Sequence, residues 1–513
     1  MPLTLKLPKI DDNPILLAET RANKINEFIQ NLPYGDPIRA ASDLVEELQI
    51  LNSQKVAFTN RLNALELYRP AALQVYQSLI PHFSNASIPI SKNELAFAGA
   101  AEQLWHELAL GYKFALVDLQ NKILNLNNDR STALVVQRAI HALKEITLIY
   151  YMAYRTPSPT IWAELHQLYF CAIQQSADQI AVADGATNSN ESTVCSVYMQ
   201  VLLMALANPN RLANQDILKV ETYLANIATD AELRPLGLID NPTGIFLIEL
   251  DGDKPPTPYT KNRDIPNPDT DIILLTLNLA RRIHAHLKAL KNGVVPSDGS
   301  LPVDAMSGHF EDLLTHLIKH FGKTPQRVFS RSKKSDGLEL GIGMHSAHHF
   351  IPKVGSEFKN FMTPNSTLKP SRWQILNVGA GGYALRKFNS SQAEMHIGDI
   401  AAIKNSNALN WELGVVRWAN INDLNQLDAG IELISPSATS VNVKAENETN
   451  QSEGLLLPEI IGLKQPASVI VTRGKYLLGQ ALQLNHNDRT TKVLISKLVE
   501  RTTTFERFQF DLI

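Results

Sequence analysis

The sequence predicts an α+β multidomain fold: a large N-terminal all-α domain, then an antiparallel β-barrel, then a small C-terminal β module. Three observations carry that reading. The chain has 513 residues, more than one hydrophobic core usually organises at roughly 150 residues per domain. Hydrophobic residues make up 44% and charged residues 19%, with 27 Pro and 25 Gly spread along the chain, which excludes a mainly disordered, collagen-like or coiled-coil protein. Finally, the apolar period is helical from about residue 15 to 320 and strand-like after Phe321.

The helical part is read from its stripes. Leu104, Leu108, Tyr112, Ala115, Leu119 and Ile123 fall on one helical face, as do Val136, Ile140, Leu143, Ile146 and Tyr150. A third stripe runs through Ile272, Leu275, Leu279, Ile283, Leu287 and Leu290. Asp269 and Asp271 enter it and Lys288, Lys291 and Gly293 close it, as the helix dipole and C-terminal stop favour. The apolar window from Val194 to Pro209 is too short for the roughly 20 residues of a bilayer span, so it reads as a buried helix. Polar punctuation at 184–193 and a Pro-rich stretch at 253–268 interrupt the domain without an internal repeat. These boundaries give a helical domain at 1–320.

Beyond it, WELGVVRWAN, AGIELIS, ASVIVTRG, KVLISKLVE and FERFQFDLI read as strands, with Phe508, Phe510 and Leu512 alternating with Gln509 and Asp511. Strands separated by Gly, Asn and Ser turns, with few helical stretches between, suit a small barrel or two adjoining β modules. The polar stretch 436–454 sets a boundary, giving a barrel at 321–436 and a β module at 437–513.

Charge and cysteine content limit the function. A formal net charge of −3 and a pI near 6.5 leave no global positive field to hold a nucleic acid polymer or an anionic membrane. Any anion site is a local patch. Cys171 and Cys195 are the only cysteines, which excludes a disulfide framework or a Cys-based zinc finger and suits the cytoplasm. The start, MPLTLKLPKIDDNP, does not have the form of a secretory signal.

The local patch stands where the period changes. In GKTPQRVFSRSKK, Arg327 and Arg331 have i, i+4 spacing, with Lys333 and Lys334 just behind. A guanidinium grips phosphate oxygens with two parallel donors, and the same plane stacks on a purine. Further on, WQILNVGAGGYAL runs from a strand into Asn377, Gly379, Gly381 and Gly382. Such glycines let backbone N–H groups approach a ligand, and the Asn377 amide can read a purine edge.

Taken in order, RVFSR, NVGAGG, the strand GVVRW and the strand AGIEL, the region 321–435 resembles the PilZ family of cyclic di-GMP receptor domains. Arg327 and Arg331 match that family's RxxxR pair. Asn377 and Gly382 match the ends of its (D/N)xSxxG turn, with Gly379 at the serine position. The resemblance implies a six-stranded barrel in which the arginines wrap over the turn from Asn377 through Gly379, Gly381 and Gly382 to clamp cyclic di-GMP. It implies no catalysis, no cofactor and no metal. The helical domain would then relay the signal to a protein partner. Trp418 reads as a core residue, and neither it nor Arg417 is placed in the site.

Other readings compete for the same residues. GAGGYA also satisfies G-x-G-x-x-A through Gly379, Gly381 and Ala384, with Asp399 beyond. A Rossmann-type enzyme would need a crossover helix there, yet strand follows strand. His345, His348 and His349, with His320, could begin a metal site, but adjacent histidines on an extended stretch point to opposite faces. HHFIPKVGSEFKNFMTPNSTLKPS reads as an inserted loop. The alternative to a receptor is a PilZ-like adaptor that has lost its ligand and binds protein alone.

Overall fold

The computed structural model describes residues 3–121, 129–183, 191–237, 239, 242–260, 266–307, 309–322, 336–352, 368–379, 381–388, 394–405, 408, 410–446, 448, 450–486 and 489–513. The chain divides into two compact units. The first comprises Met1–Ala86, Ile90–Pro209 and Asn214–Pro325, and the second Ser87–Pro89, Asn210–Ala213 and Gln326–Ile513.

The first unit begins with α1 (Ala22–Gln30), α2 (Pro37–Asn52), α3 (Phe58–Leu79) and α4 (Lys92–Gln120). It continues through α5 (Asp129–Met152), α6 (Pro159–Gln174), a short hairpin of β1 (Val182–Ala183) and β2 (Glu191–Ser192), then α7 (Val194–Leu206) and α8 (Asn214–Ile227). Local chemistry starts these helices where they start. The Asp36 carboxylate accepts from the Arg39 N–H ahead of Pro37, and Ser91 with Glu94 forms a capping box at the head of α4. The stripes read from the sequence are buried: Leu104, Leu108 and Leu119 on α4, Val136, Ile140 and Leu143 on α5. The apolar window from Val194 is the buried helix α7, capped by Thr193 and Ser196.

This unit is not wholly helical. β3 (Glu232–Pro235), β4 (Ile245–Glu249), β5 (Thr257–Pro258) and β6 (Asp271–Leu275) form an antiparallel sheet in the order β3-β6-β4-β5. The helix expected from Ile272 therefore starts later, as α9 (Leu277–Lys291). DIILL is a short apolar run whose β-branched residues pair on both edges with β3 and β4, and sheet pairing overrides the helical register that Ile272 and Leu275 happen to share. α10 (His309–Gly322) closes the unit.

The second unit holds two barrels. β7 (Gly337–Ile342), the short helix α11 (Met344–Phe350), β8 (Ser371–Gly379), β9 (Gly382–Lys387), β10 (Ile400–Asn405), β11 (Glu412–Ile421) and β12 (Leu427–Ser435) form the first. β13 (Thr439–Ala445), β14 (Ser452–Leu457), β15 (Ser468–Thr472), β16 (Ala481–His486), β17 (Arg489–Arg501) and β18 (Phe505–Leu512) form the second. Both are closed, all pairings are antiparallel, and both follow the same strand order. Counting from each barrel's own first strand, that order is 1-2-3-6-5-4, with the fourth strand returning to the first. The C-terminal β module is thus a second barrel of the same connectivity.

Two local readings change. The polar stretch 436–454 contains β13 and the start of β14, so only the few residues after Ser435 join the barrels. HHF at the start of the expected loop belongs to α11, while 353–367 lie outside the described residues.

The barrels share a core. The outer faces of β10 and β11, through Ile400, Ala402, Leu413 and Val415, pack with Ala347 and Ile351 against Leu455, Leu457, Ile470 and Phe505 of the second barrel. Phe350 stacks on Trp411 at 5.1 Å between ring centroids. Burial of this apolar surface holds the two barrels together.

Candidate ligand-binding site

With Ile400, Ala402, Leu413 and Val415 of β10 and β11 covered, the glycine turn lies on the outer face formed by β8, β9, β12 and the far end of β11. Its layout follows from register, because directly paired residues on neighbouring antiparallel strands share a face. Asn377 pairs with Ala384, Ala384 with Gly430, and Gly430 with Trp418 on β11. Above this row, Gly379 pairs with Gly382 and Gly382 with Glu432; below it, Gln374, Arg386, Asp428 and Asn420 are paired in turn. A platform of small residues is therefore flanked by an amide on one side and an indole on the other.

Each small residue has a physical reason. Gly382 has φ of 142° and a Cβ there would run into the Ile431 carbonyl oxygen, so only glycine fits. Gly381 accepts from the Leu433 N–H at 3.1 Å, pinning the turn to β12. A Cβ on Gly430 would collide with the Trp418 indole.

Trp418 is consequently not the core residue that the sequence suggested. It is half-buried and lies on the outer face, against Gly430. The β-bulge between Val416 and Trp418 explains the difference: an inserted residue shifts which side chains face inward, and simple alternation along GVVRWAN misses it. Arg386 and Arg417 were likewise passed over. Arg386 donates to both oxygens of Asp428, at 2.6 and 2.7 Å, and Arg417 donates to Glu432 at 2.5 Å. Burial opposes the Arg417 charge, but Glu500 and Glu432 outweigh it and hold its pKa above the ordinary arginine value. The signal available for both was the cross-strand acidic partner, visible only once the register is known.

Asn377, Gly379, Gly381 and Gly382 thus come together on one turn and the strand leading into it. Arg327 and Arg331, with Lys333 and Lys334, lie outside the described residues.

The competing readings resolve on topology. GAGGYA occupies an antiparallel hairpin between β8 and β9, and Asp399 uses a carboxylate oxygen to accept from the His396 N–H at 2.7 Å. A dinucleotide-binding fingerprint needs a parallel strand feeding a helix N-terminus, so that reading is set aside. His345 and His348 sit on α11 rather than on an extended stretch. His345 Nδ1 is 2.6 Å from Glu453 Oε1, and His348 Nε2 is 3.2 Å from the Val441 carbonyl oxygen. Among the described residues no group of His, Cys, Asp and Glu is arranged to hold a metal ion. Cys171 and Cys195 are buried, which pushes the Cys171 thiol up to about 11 and raises that of Cys195.

A closed six-stranded barrel with a glycine-rich turn after its second strand and an open face beside it defines a PilZ-type domain. Family models agree along the chain. Residues 23–236 match the cyclic-di-GMP receptor FimW N-terminal domain. Residues 245–373 and 363–440 match its middle PilZ domain, and 438–513 match the FimW C-terminal β-barrel domain. The chain is 24% identical over 581 aligned positions to the cyclic-di-GMP receptor FimW of Pseudomonas aeruginosa, covering 99% of this chain and 93% of that protein. The chain belongs to the PilZ-domain receptor family, with the domain order of FimW. Among the described residues no helix is long and apolar enough to cross a membrane.

Proposed function

We propose that this protein is a cytoplasmic cyclic di-GMP receptor, not an enzyme, and that it relays ligand occupancy to a protein partner through its helical domain. The observation that carries the ligand reading is the row Asn377, Ala384, Gly430 and Trp418 beside the Gly379–Gly382 turn. An amide, the small side chain of Ala384 and an indole laid over Gly430 suit a purine: the amide reads an edge, and stacking on an aromatic ring contributes about 1–3 kcal/mol per base. Arg327 and Arg331 supply the forks for its phosphates. Gly379 omits the family's serine hydroxyl, leaving backbone donors to do its work. The relay follows from sequence order. Arg327 and Arg331 lie in the segment between the helical domain and the first barrel, and mutual repulsion with Lys333 and Lys334 is relieved by an anionic ligand.

Titration calorimetry of cyclic di-GMP into the full chain tests this. Arg327→Ala and Arg331→Ala are each expected to weaken binding by about 1.5–3 kcal/mol, the range for hydrogen bonds to charged groups. No binding by the wild type would overturn the receptor reading and leave the adaptor.

A further inference from the structure

Arg417 is the extra residue of the β11 bulge, and it faces two carboxylates on different barrels. Its Nε donates to Glu432 on β12, and its Nη2 donates to Glu500 on β17. Glu432 is the direct cross-strand partner of Gly382, so one of the carboxylates that hold the guanidinium projects from the position opposite the glycine turn. Nearby, Thr503 and Thr504 of the second barrel donate hydroxyls to the Ile397 and Gly398 carbonyls at 2.9 and 3.1 Å, completing a polar edge around the shared apolar core.

Glu500 is also the direct cross-strand partner of Arg507 on β18, whose charge it stabilises, so this carboxylate keeps a cationic neighbour if Arg417 leaves it. A phosphate offers an arginine fork the same bidentate geometry as a carboxylate. Resting on the receptor reading above, we propose that Arg417 is a third ligand-binding arginine, held in reserve by Glu432 and Glu500 and surrendered to a phosphate of cyclic di-GMP, which opens the polar edge of the inter-barrel joint at Glu500. The apolar core through Phe505 and Ile470 stays closed. Linkage makes the coupling reciprocal: what ligand takes from the Arg417–Glu500 contact, that contact takes from ligand affinity.

The test compares wild type, Arg417→Gln, Glu500→Gln and Asn377→Ala in the full chain, titrated with cyclic di-GMP by calorimetry. Thermal denaturation confirms that each variant is folded. Arg417→Gln is expected to weaken binding about tenfold or more, and Glu500→Gln, which removes a competitor without touching the face, to tighten it several-fold. A purely structural Arg417 predicts no gain in Glu500→Gln. Unchanged or weakened affinity in that variant, or unchanged affinity in Arg417→Gln, overturns the proposal. If the wild type binds and Asn377→Ala weakens binding while both joint variants behave as wild type, the receptor reading stands and this one falls. Absence of wild-type binding removes both.

Discussion

Trp418 rests against Gly430 on the neighbouring strand, so closely that even a methyl group at Gly430 would occupy the place of the indole. The open face of the first barrel owes its aromatic element to that missing side chain. Gly430→Ala is therefore expected to unseat the indole and cost about 1–3 kcal/mol, as overpacking usually does. Tryptophan emission and thermal denaturation report both effects. Unaltered emission with unaltered stability would mean that the indole is seated elsewhere in solution.

Gly382 is constrained by its backbone rather than by a side chain. Its φ of 142° and the Ile431 carbonyl in the way of any Cβ lead us to expect that Gly382→Ala destabilises the protein by about 2 kcal/mol or more. Urea unfolding measures it. Gly381, exposed at the tip, is expected to tolerate alanine better.

Gly379 is a different case, because it occupies the position at which the family pattern has serine. Gly379→Ser restores the hydroxyl and is expected to tighten cyclic di-GMP binding or leave it unchanged. Abolished binding in a folded variant would show that the ligand needs this position to lack a side chain.

The fold was legible where one period dominates a segment. The stripes through Leu104 and Val136 and the strands from Glu412 to Ser435 follow from side-chain spacing alone, since burial of one face needs nothing but sequence order. It was less legible where pairing decides. Ile272 and Leu275 fit a helix and a strand equally, and β3 and β4 settle the matter from some distance along the chain. Likewise, Asn377, Gly379, Gly381 and Gly382 stood out by composition, whereas Trp418, Arg386 and Arg417 depend on a bulge and a register that no local pattern encodes.

The shared core of the two barrels carries an expectation about cooperativity. Phe505 and Ile470 are fully buried residues of the second barrel that pack into a cluster with Val415 and Leu413 of the first. Phe505→Ala is expected to cost about 3–5 kcal/mol and to lower the stability of both barrels together. Hydrogen exchange resolves them: protection should fall in β10 and β11 as well as in β15 and β18. Loss confined to the second barrel would show that the two open independently.

His166 sets a pH dependence in the helical unit. It is fully buried on α6, with Nδ1 2.6 Å from the Tyr198 hydroxyl and Nε2 2.7 Å from the Lys254 carbonyl oxygen. A carbonyl only accepts, so Nε2 carries the proton and Nδ1 accepts from Tyr198, which leaves the ring neutral and both nitrogens satisfied. Burial penalises the imidazolium and lowers its pKa to about 4 from the ordinary 6.5. Above pH 6.5 neither the folded nor the unfolded chain protonates this ring, and it contributes no slope. Between 6.5 and 4 the unfolded chain takes up a proton that the folded chain refuses, so stability falls with pH, by about 3 kcal/mol in all, and levels off below 4. Urea unfolding of wild type and His166→Gln across pH 7 to 4 isolates the contribution, because glutamine keeps a donor and an acceptor but does not titrate. The difference between the two proteins should narrow as pH falls through that window. A constant difference would mean that His166 titrates alike in the folded and unfolded chains, and that its burial is relieved by water reaching the ring.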